Sequence, residues 1–93
     1  MIKTFRSADT EALWKNGRAS SLPSTLLRTA LRKLAMLDAA KNLNDLRVPP
    51  ANRLEALRSD RAGQHSIRVN DQWRVCFVWK DGHAYDVEIV DYH

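Results

Sequence analysis

The chain ends on Asp91-Tyr92-His93, an acid, a phenol and an imidazole that follow directly on the alternating run "VEIV". If that run is a strand, its rigidity can hold these groups against a cleft instead of leaving them in solvent. A second set lies upstream. Glu55 and Arg58 fall within "RLEALR", with Arg53, Arg61, Arg68 and Arg74 around and after them. Such groups could cleave RNA with no metal or other cofactor. That reaction needs a base to take the proton from the ribose 2′-hydroxyl and an acid to protonate the departing 5′-oxygen. It also needs fixed positive charge on the phosphate as negative charge grows there. His93 is the natural proton-transfer group, Arg58 or Arg74 could hold the phosphate, and Tyr92 could stack a base or hold the backbone. Asp91 and Glu55 each admit three roles: orienting His93, acting as the base, or pairing with an arginine. Arg53, Arg61, Arg68 and Arg74 are candidates for RNA and phosphate binding, because guanidinium offers a planar fork suited to phosphate.

Other chemistries find less support. His65 and His83 have no metal-ligand spacing with one another or with an acid, so no metal site is expected. No serine sits on a Gly-x-Ser-x-Gly turn, which argues against a Ser-His-Asp hydrolase. Cys76, the single cysteine, lies inside "WRVCFVW" and reads as a buried small hydrophobe.

Elements must place these residues. "MIKTFR" suits one short strand. Ser7 can cap a helix whose first turn carries Asp9 and Glu11, and Gly17 ends it. After the polar stretch "KNGRASSLPS", Leu27, Ala30, Leu31, Leu34 and Leu37 recur at helical spacing, while Arg28, Arg32 and Lys33 are read onto other faces. "LNDLR" suits a short helical turn and "VPPAN" an irregular connection, since consecutive prolines prevent both helix and ladder pairing. From Arg53 the period changes to two. "QHSIRV", "WRVCFVWK" and "AYDVEIV" read as strands joined by "ND" and "KDGH", and "RLEALR" as a possible further strand. Trp73, Val75, Phe77 and Trp79 then share a face toward the long helix, and Trp14, Trp73 and Trp79 are core. Arg68 and Arg74 point away from that face. The fold class expected is α+β, with two N-terminal helices packed on a mainly antiparallel sheet of three to five strands.

Ninety-three residues, 44% hydrophobic and 28% charged, suffice for one core, so residues 1–93 are expected to form a single domain. No apolar run approaches the roughly 20 residues of a membrane span, and nothing resembles a signal peptide. A cytoplasmic protein without a membrane partner is expected. The net charge of +4 favours an anionic partner.

At "NRLEALRSDRAGQHSIRVNDQWRVCFVW" and "YDVEIVDYH" the sequence resembles the HigB branch of the RelE/ParE toxin superfamily, the plasmid maintenance killer proteins, and within it the HigB/GraT-type toxins. The opening "MIKTFRSADTEALW" and the helix "ALRKLAMLDAA" agree. The resemblance implies a RelE-like fold and the toxin of a type II toxin-antitoxin system. It implies a metal-independent endoribonuclease that cuts mRNA in the ribosomal aminoacyl site and leaves a 2′,3′-cyclic phosphate or its hydrolysis product. The implied partners are the ribosome with its rRNA, mRNA, and a HigA-type helix-turn-helix antitoxin through which operator DNA is bound. Family catalytic residues carry over to Asp91, Tyr92 and His93. Where one family pattern has a histidine and a lysine three residues apart, this chain has Glu55 and Arg58, which keeps the positive charge but not the imidazole. ParE members of the superfamily bind DNA gyrase without being nucleases, so a non-enzymatic toxin is the alternative.

Overall fold

Ser7 leaves the backbone extended and its hydroxyl accepts a hydrogen bond from the Thr10 N–H at 3.0 Å, which starts helix α1 (Ala8–Asn16). Gly17, at φ 75°, closes it through an N–H bond to the Leu13 carbonyl. These are the caps the sequence predicts, and they work because they satisfy backbone groups that the helix ends leave unpaired. The structure is a computed structural model that describes residues 1–91. The Tyr92 and His93 expectations lie outside the described residues.

The polar stretch after α1 is a loop pinned to that helix. Asp9 accepts the N–H groups of Ser20 and Ser21 at 2.9 and 3.0 Å and also bonds both hydroxyls. Helix α2 (Leu27–Ala39) follows. Ala30, Leu34 and Leu37 are fully buried against Leu13, Ile67, Val75, Phe77 and Val87, which form the core between helices and sheet. One assignment is corrected here. Lys33, read from the sequence onto another face, is buried at 7% exposure, because it stands three residues after Ala30 and four before Leu37. Its ammonium donates to the Asn52 side-chain oxygen at 2.6 Å. Burial, and then the nearby charges of Arg32 and Arg68, draw its pKa below the ordinary lysine value.

After α2, "LNDLR" forms a 3-10 turn, Leu43–Arg47, closed by a capping box between Asn42 and Asp45. Within "VPPAN", Pro50–Asn52 form another short turn. The sheet is antiparallel with order β1-β2-β3-β4: β1 (Glu55–Ala56), β2 (His65–Arg68), β3 (Trp73–Lys80) and β4 (His83–Asp91). The further strand expected of "RLEALR" thus shrinks to two residues. The N-terminal segment lies parallel to β4 through bridges at Ile2 and Phe5. Asn70 accepts the N–H groups of Gln72 and Trp73 and so folds the β2–β3 turn. Asp81 and Gly82, at φ 53° and 80°, give the two-residue β3–β4 turn the left-handed backbone it requires. Trp73 and Trp79 pack against the core with Val75 and Phe77, and Trp14 packs there too, as expected. Among the described residues no helix is long and apolar enough to cross a membrane.

Two carboxylates tie loops to helix ends, and both have depressed pKa values. Asp9 is held down by the Ser21 hydroxyl and by the N–H groups of Ser21 and Ser20, and Asp45 by the N–H groups of Lys41 and Asn42. A carboxyl whose pKa is lower in the folded state binds protons more weakly there than when unfolded. Its contribution to stability is present above the unfolded value and is lost as pH falls through the folded one. Urea midpoints should therefore fall on acidification through the carboxylate range, and less steeply for the Asp9→Asn, Asp45→Asn double variant. Parallel pH profiles for the two proteins would contradict this assignment.

Candidate active site

The ladder aligns residues on the face of the sheet turned away from the helices. Glu55 pairs with Ser66, Ser66 with Cys76 and Cys76 with Glu88; in the next row Arg68 pairs with Arg74 and Arg74 with Val90. Ser66 and Cys76 are fully buried although no helix covers them. The Arg74 side chain lies against this surface. Its Nε donates to Ser66 Oγ at 2.7 Å, and its Nη2 donates to the Arg53 carbonyl at 2.6 Å. The Glu55 carboxylate stands 3.6 Å from Nη2. Because the Glu55 side chain is half exposed, water screens that ion pair to about 1 kcal/mol or less. The two short hydrogen bonds hold the guanidinium more firmly, at about 1.5–3 kcal/mol for each bond to a charged group. Arg53 presents its carbonyl from a left-handed conformation, φ 46° and ψ 54°, that closes the Pro50–Asn52 turn.

Around this centre the other candidates occupy separate positions. Arg58 is exposed at the start of the Ser59–Arg61 turn and, with Glu55, Ala56, Leu57 and Ser59, lines an open depression beside β1. Arg61 reaches across the sheet, donating to Glu88 at 2.8 Å and to Gln64 at 3.1 Å. Arg6 approaches the same Glu88 oxygen at 3.8 Å. Arg68 pairs with Asp71 in the following turn. Asp91 ends β4 opposite Trp73 and accepts a hydrogen bond from Gln72 at 2.9 Å. Strand alternation groups Asp91 with Ile89 and Arg74 with Val90. Burial pushes the Cys76 thiol up, with Arg61 opposing and Glu88 reinforcing the shift, which disfavours the thiolate form.

Of the sequence candidates, the structure therefore brings Arg53, Glu55 and Arg74 into one cluster and sets Arg58 beside it. Arg61, Arg68 and Asp91 are engaged with other partners. Sequence reading missed Ser66 and Glu88, the residues that receive Arg74 and Arg61. Alternation could have flagged both, since Ser66 shares parity with Arg68 and Glu88 with Val90.

Comparison with known proteins accords with this architecture. A chain of the heterotetrameric YoeB-YefM toxin-antitoxin complex from Staphylococcus aureus superposes with a TM-score of 0.60 at 18% identity, over 100% of this chain and 98% of that one. A mutant of YafQ from E. coli superposes with a TM-score of 0.62 at 12% identity, over 98% and 93%. At those identities they share the fold alone. Sequence relatives are nearer. Toxin HigB-1 of Vibrio cholerae is 49% identical over 85 residues, 90% of each chain. Endoribonuclease HigB of Proteus vulgaris is 31% identical over 93 residues, the whole of both chains. The family model for the RelE-like toxin of type II toxin-antitoxin system HigB matches residues 3–93. With nearly its whole length matched, this chain belongs to the HigB-like family of RelE-like type II toxin-antitoxin toxins.

Proposed function

We propose that this toxin is a metal-independent endoribonuclease that cuts mRNA in the aminoacyl site of the ribosome. The observation that carries the reading is the guanidinium of Arg74, largely buried and fixed by Ser66 and the Arg53 carbonyl beside Glu55 on the face of the sheet turned away from the helices. A preorganised cation of that kind suits a phosphate whose negative charge grows during reaction. The name borne by the Proteus vulgaris relative, an endoribonuclease matched along its whole length, supports the same class of chemistry. In the reaction a base takes the proton of the 2′-hydroxyl, the 2′-oxygen bonds to phosphorus, and the bond from phosphorus to the 5′-oxygen breaks as an acid protonates that oxygen. The product end is a 2′,3′-cyclic phosphate. His93 is assigned the proton transfer to the leaving oxygen and Arg74 the phosphate, with Arg58 beside it. Tyr92 stacks a base, and Asp91 and Glu55 are the carboxylates available to orient His93 or act as base. Arg53, Arg61 and Arg68 extend the cationic surface along the RNA. The partner that silences the toxin is a HigA-type helix-turn-helix antitoxin, through which the pair reaches operator DNA. The YoeB-YefM toxin-antitoxin complex, in which a chain of the same fold occurs, supports an antitoxin partner.

Cleavage mapping on a defined mRNA, with and without programmed ribosomes, tests the reading. Wild type is expected to cut only on the ribosome, in the aminoacyl-site codon, and His93→Ala to lose the cuts. If neither protein cuts while both arrest growth, the toxin acts by binding a target such as DNA gyrase. Arg74→Lys keeps the charge but cannot reach Ser66 and the Arg53 carbonyl together, and should slow cleavage about a hundredfold; an unchanged rate would remove Arg74 from the site. Ribosome binding should weaken steeply with salt, with a slope of roughly 0.7 per single-stranded phosphate contact. A salt-insensitive association would rule out an arginine-phosphate interface.

A further inference from the structure

Lys33 and Asn52 are buried polar side chains that the reaction leaves unused, and they are bonded to each other. Lys33 is 7% exposed on the core side of α2, and Asn52 is fully buried. A buried ammonium facing a neutral amide is a poor device for stability alone, since an apolar residue of similar volume would pack there without losing hydration. The geometry around it has direction. Asn52 uses both ends of its side chain, accepting from Lys33 at 2.6 Å and donating to the Leu46 carbonyl at 3.2 Å. Its own N–H bonds to the Pro49 carbonyl at 3.0 Å, and the Arg53 N–H to the Pro50 carbonyl at 3.0 Å. The turn so fixed delivers Arg53 in its left-handed conformation, which a non-glycine residue keeps only where its surroundings impose it. The carbonyl of that residue accepts from Arg74 at 2.6 Å. An unbroken series of contacts thus runs from the middle of α2, through the core and the Pro50–Asn52 turn, to the guanidinium on the opposite face of the sheet.

We propose that Lys33 and Asn52 are positioning residues for Arg74: their buried bond sets the turn whose Arg53 carbonyl fixes the orientation of the guanidinium. The inference rests on the reading of Arg74 as the group that holds the phosphate. It makes α2 part of the site's support.

The test uses the full chain and two variants. Lys33→Met keeps the stem and removes the donor; Lys33→Gln is shorter but keeps a donor for Asn52. Rotation about the Arg74 Nε–Cζ bond, measured by nitrogen-15 and carbon-13 NMR, reports directly on the bond to the Arg53 carbonyl. In Lys33→Met that rotation should quicken on the order of tenfold, and kcat for ribosomal mRNA cleavage should fall by a similar factor at unchanged KM. Lys33→Gln should recover part of both. Rotation within about twofold of wild type in Lys33→Met would overturn the proposal, as would faster rotation with kcat unchanged. Loss of folding in both variants would make the pair purely structural and overturn it as well. Should wild type fail to cut RNA at all, the nuclease reading falls, while the rotation measurement still decides whether Lys33 and Asn52 orient Arg74.

Discussion

Strands β3 and β4 share the longest ladder of the sheet, and one extra residue in β4 decides which side chains reach which layer. Cys76 pairs with Glu88 but Val78 pairs with Tyr85, so Asp86 and Val87 together oppose Phe77. Asp86 takes the left-handed backbone, φ 53°, that such a bulge demands, and its N–H is received by the Thr4 hydroxyl at 2.8 Å. Strict alternation from the buried Ala84 would send Asp86 and Glu88 into the core. The bulge restores parity instead: Val87 is fully buried, Ile89 packs beside it, and Glu88 turns to the outer face to receive Arg61. The same shift fixes the parity of Asp91. The placement of Asp91 therefore depends on a distortion about 17 Å of chain away, at roughly 3.4 Å per residue.

The two faces of the sheet solve opposite problems. Toward the helices the solution is ordinary apolar packing, with Leu34, Leu37, Val75 and Phe77 interdigitated. Away from them, the buried Ser66 hydroxyl and the Arg74 guanidinium satisfy one another, and the Arg53 carbonyl takes a further donor. Arginine suits this place because its planar fork can make several bonds at once while its stem covers the sheet. Lys33 makes the analogous bond on the helix side through Asn52. Both buried cations thus rest on neutral oxygens, not on carboxylates alone, an arrangement that fixes direction more than it adds Coulomb energy.

Much of this was legible from local chemistry. Ser7, Gly17, Asn70 and the Asp81-Gly82 turn each act through hydrogen bonds or backbone freedom within a few residues, and such signals survive in a linear sequence. The apolar stripe of α2 and the alternation of β3 are legible for the same reason. Lys33 was misplaced because its residue type outweighed its spacing: the period put it on the buried stripe, and only a partner from nineteen residues later makes that tolerable. The bulge at Asp86 leaves no trace in "AYDVEIVD", since a polar residue inside an alternating run fits either register. At the site, residue types pointed to Glu55, Arg58 and Arg74, but not to the way they are distributed. That Arg74 is held by Ser66 and a backbone carbonyl, or that Arg61 spans to Glu88, depends on register across three strands.

Three cations of the outer face are matched with carboxylates: Arg61 with Glu88, Arg68 with Asp71 and Arg74 with Glu55. Any anion arriving there would exchange one anionic partner for another, so the arginines would not gain the full energy of a new ion pair. At Arg74 the carboxylate partner is half exposed and 3.6 Å away, while the guanidinium, itself buried, is oriented by neutral oxygens. At Arg61 the Glu88 partner is 15% exposed and close, at 2.8 Å. The ion pairs of this face are thereby graded by separation and enclosure, and the Arg74 guanidinium is the one whose orientation also rests on neutral oxygens.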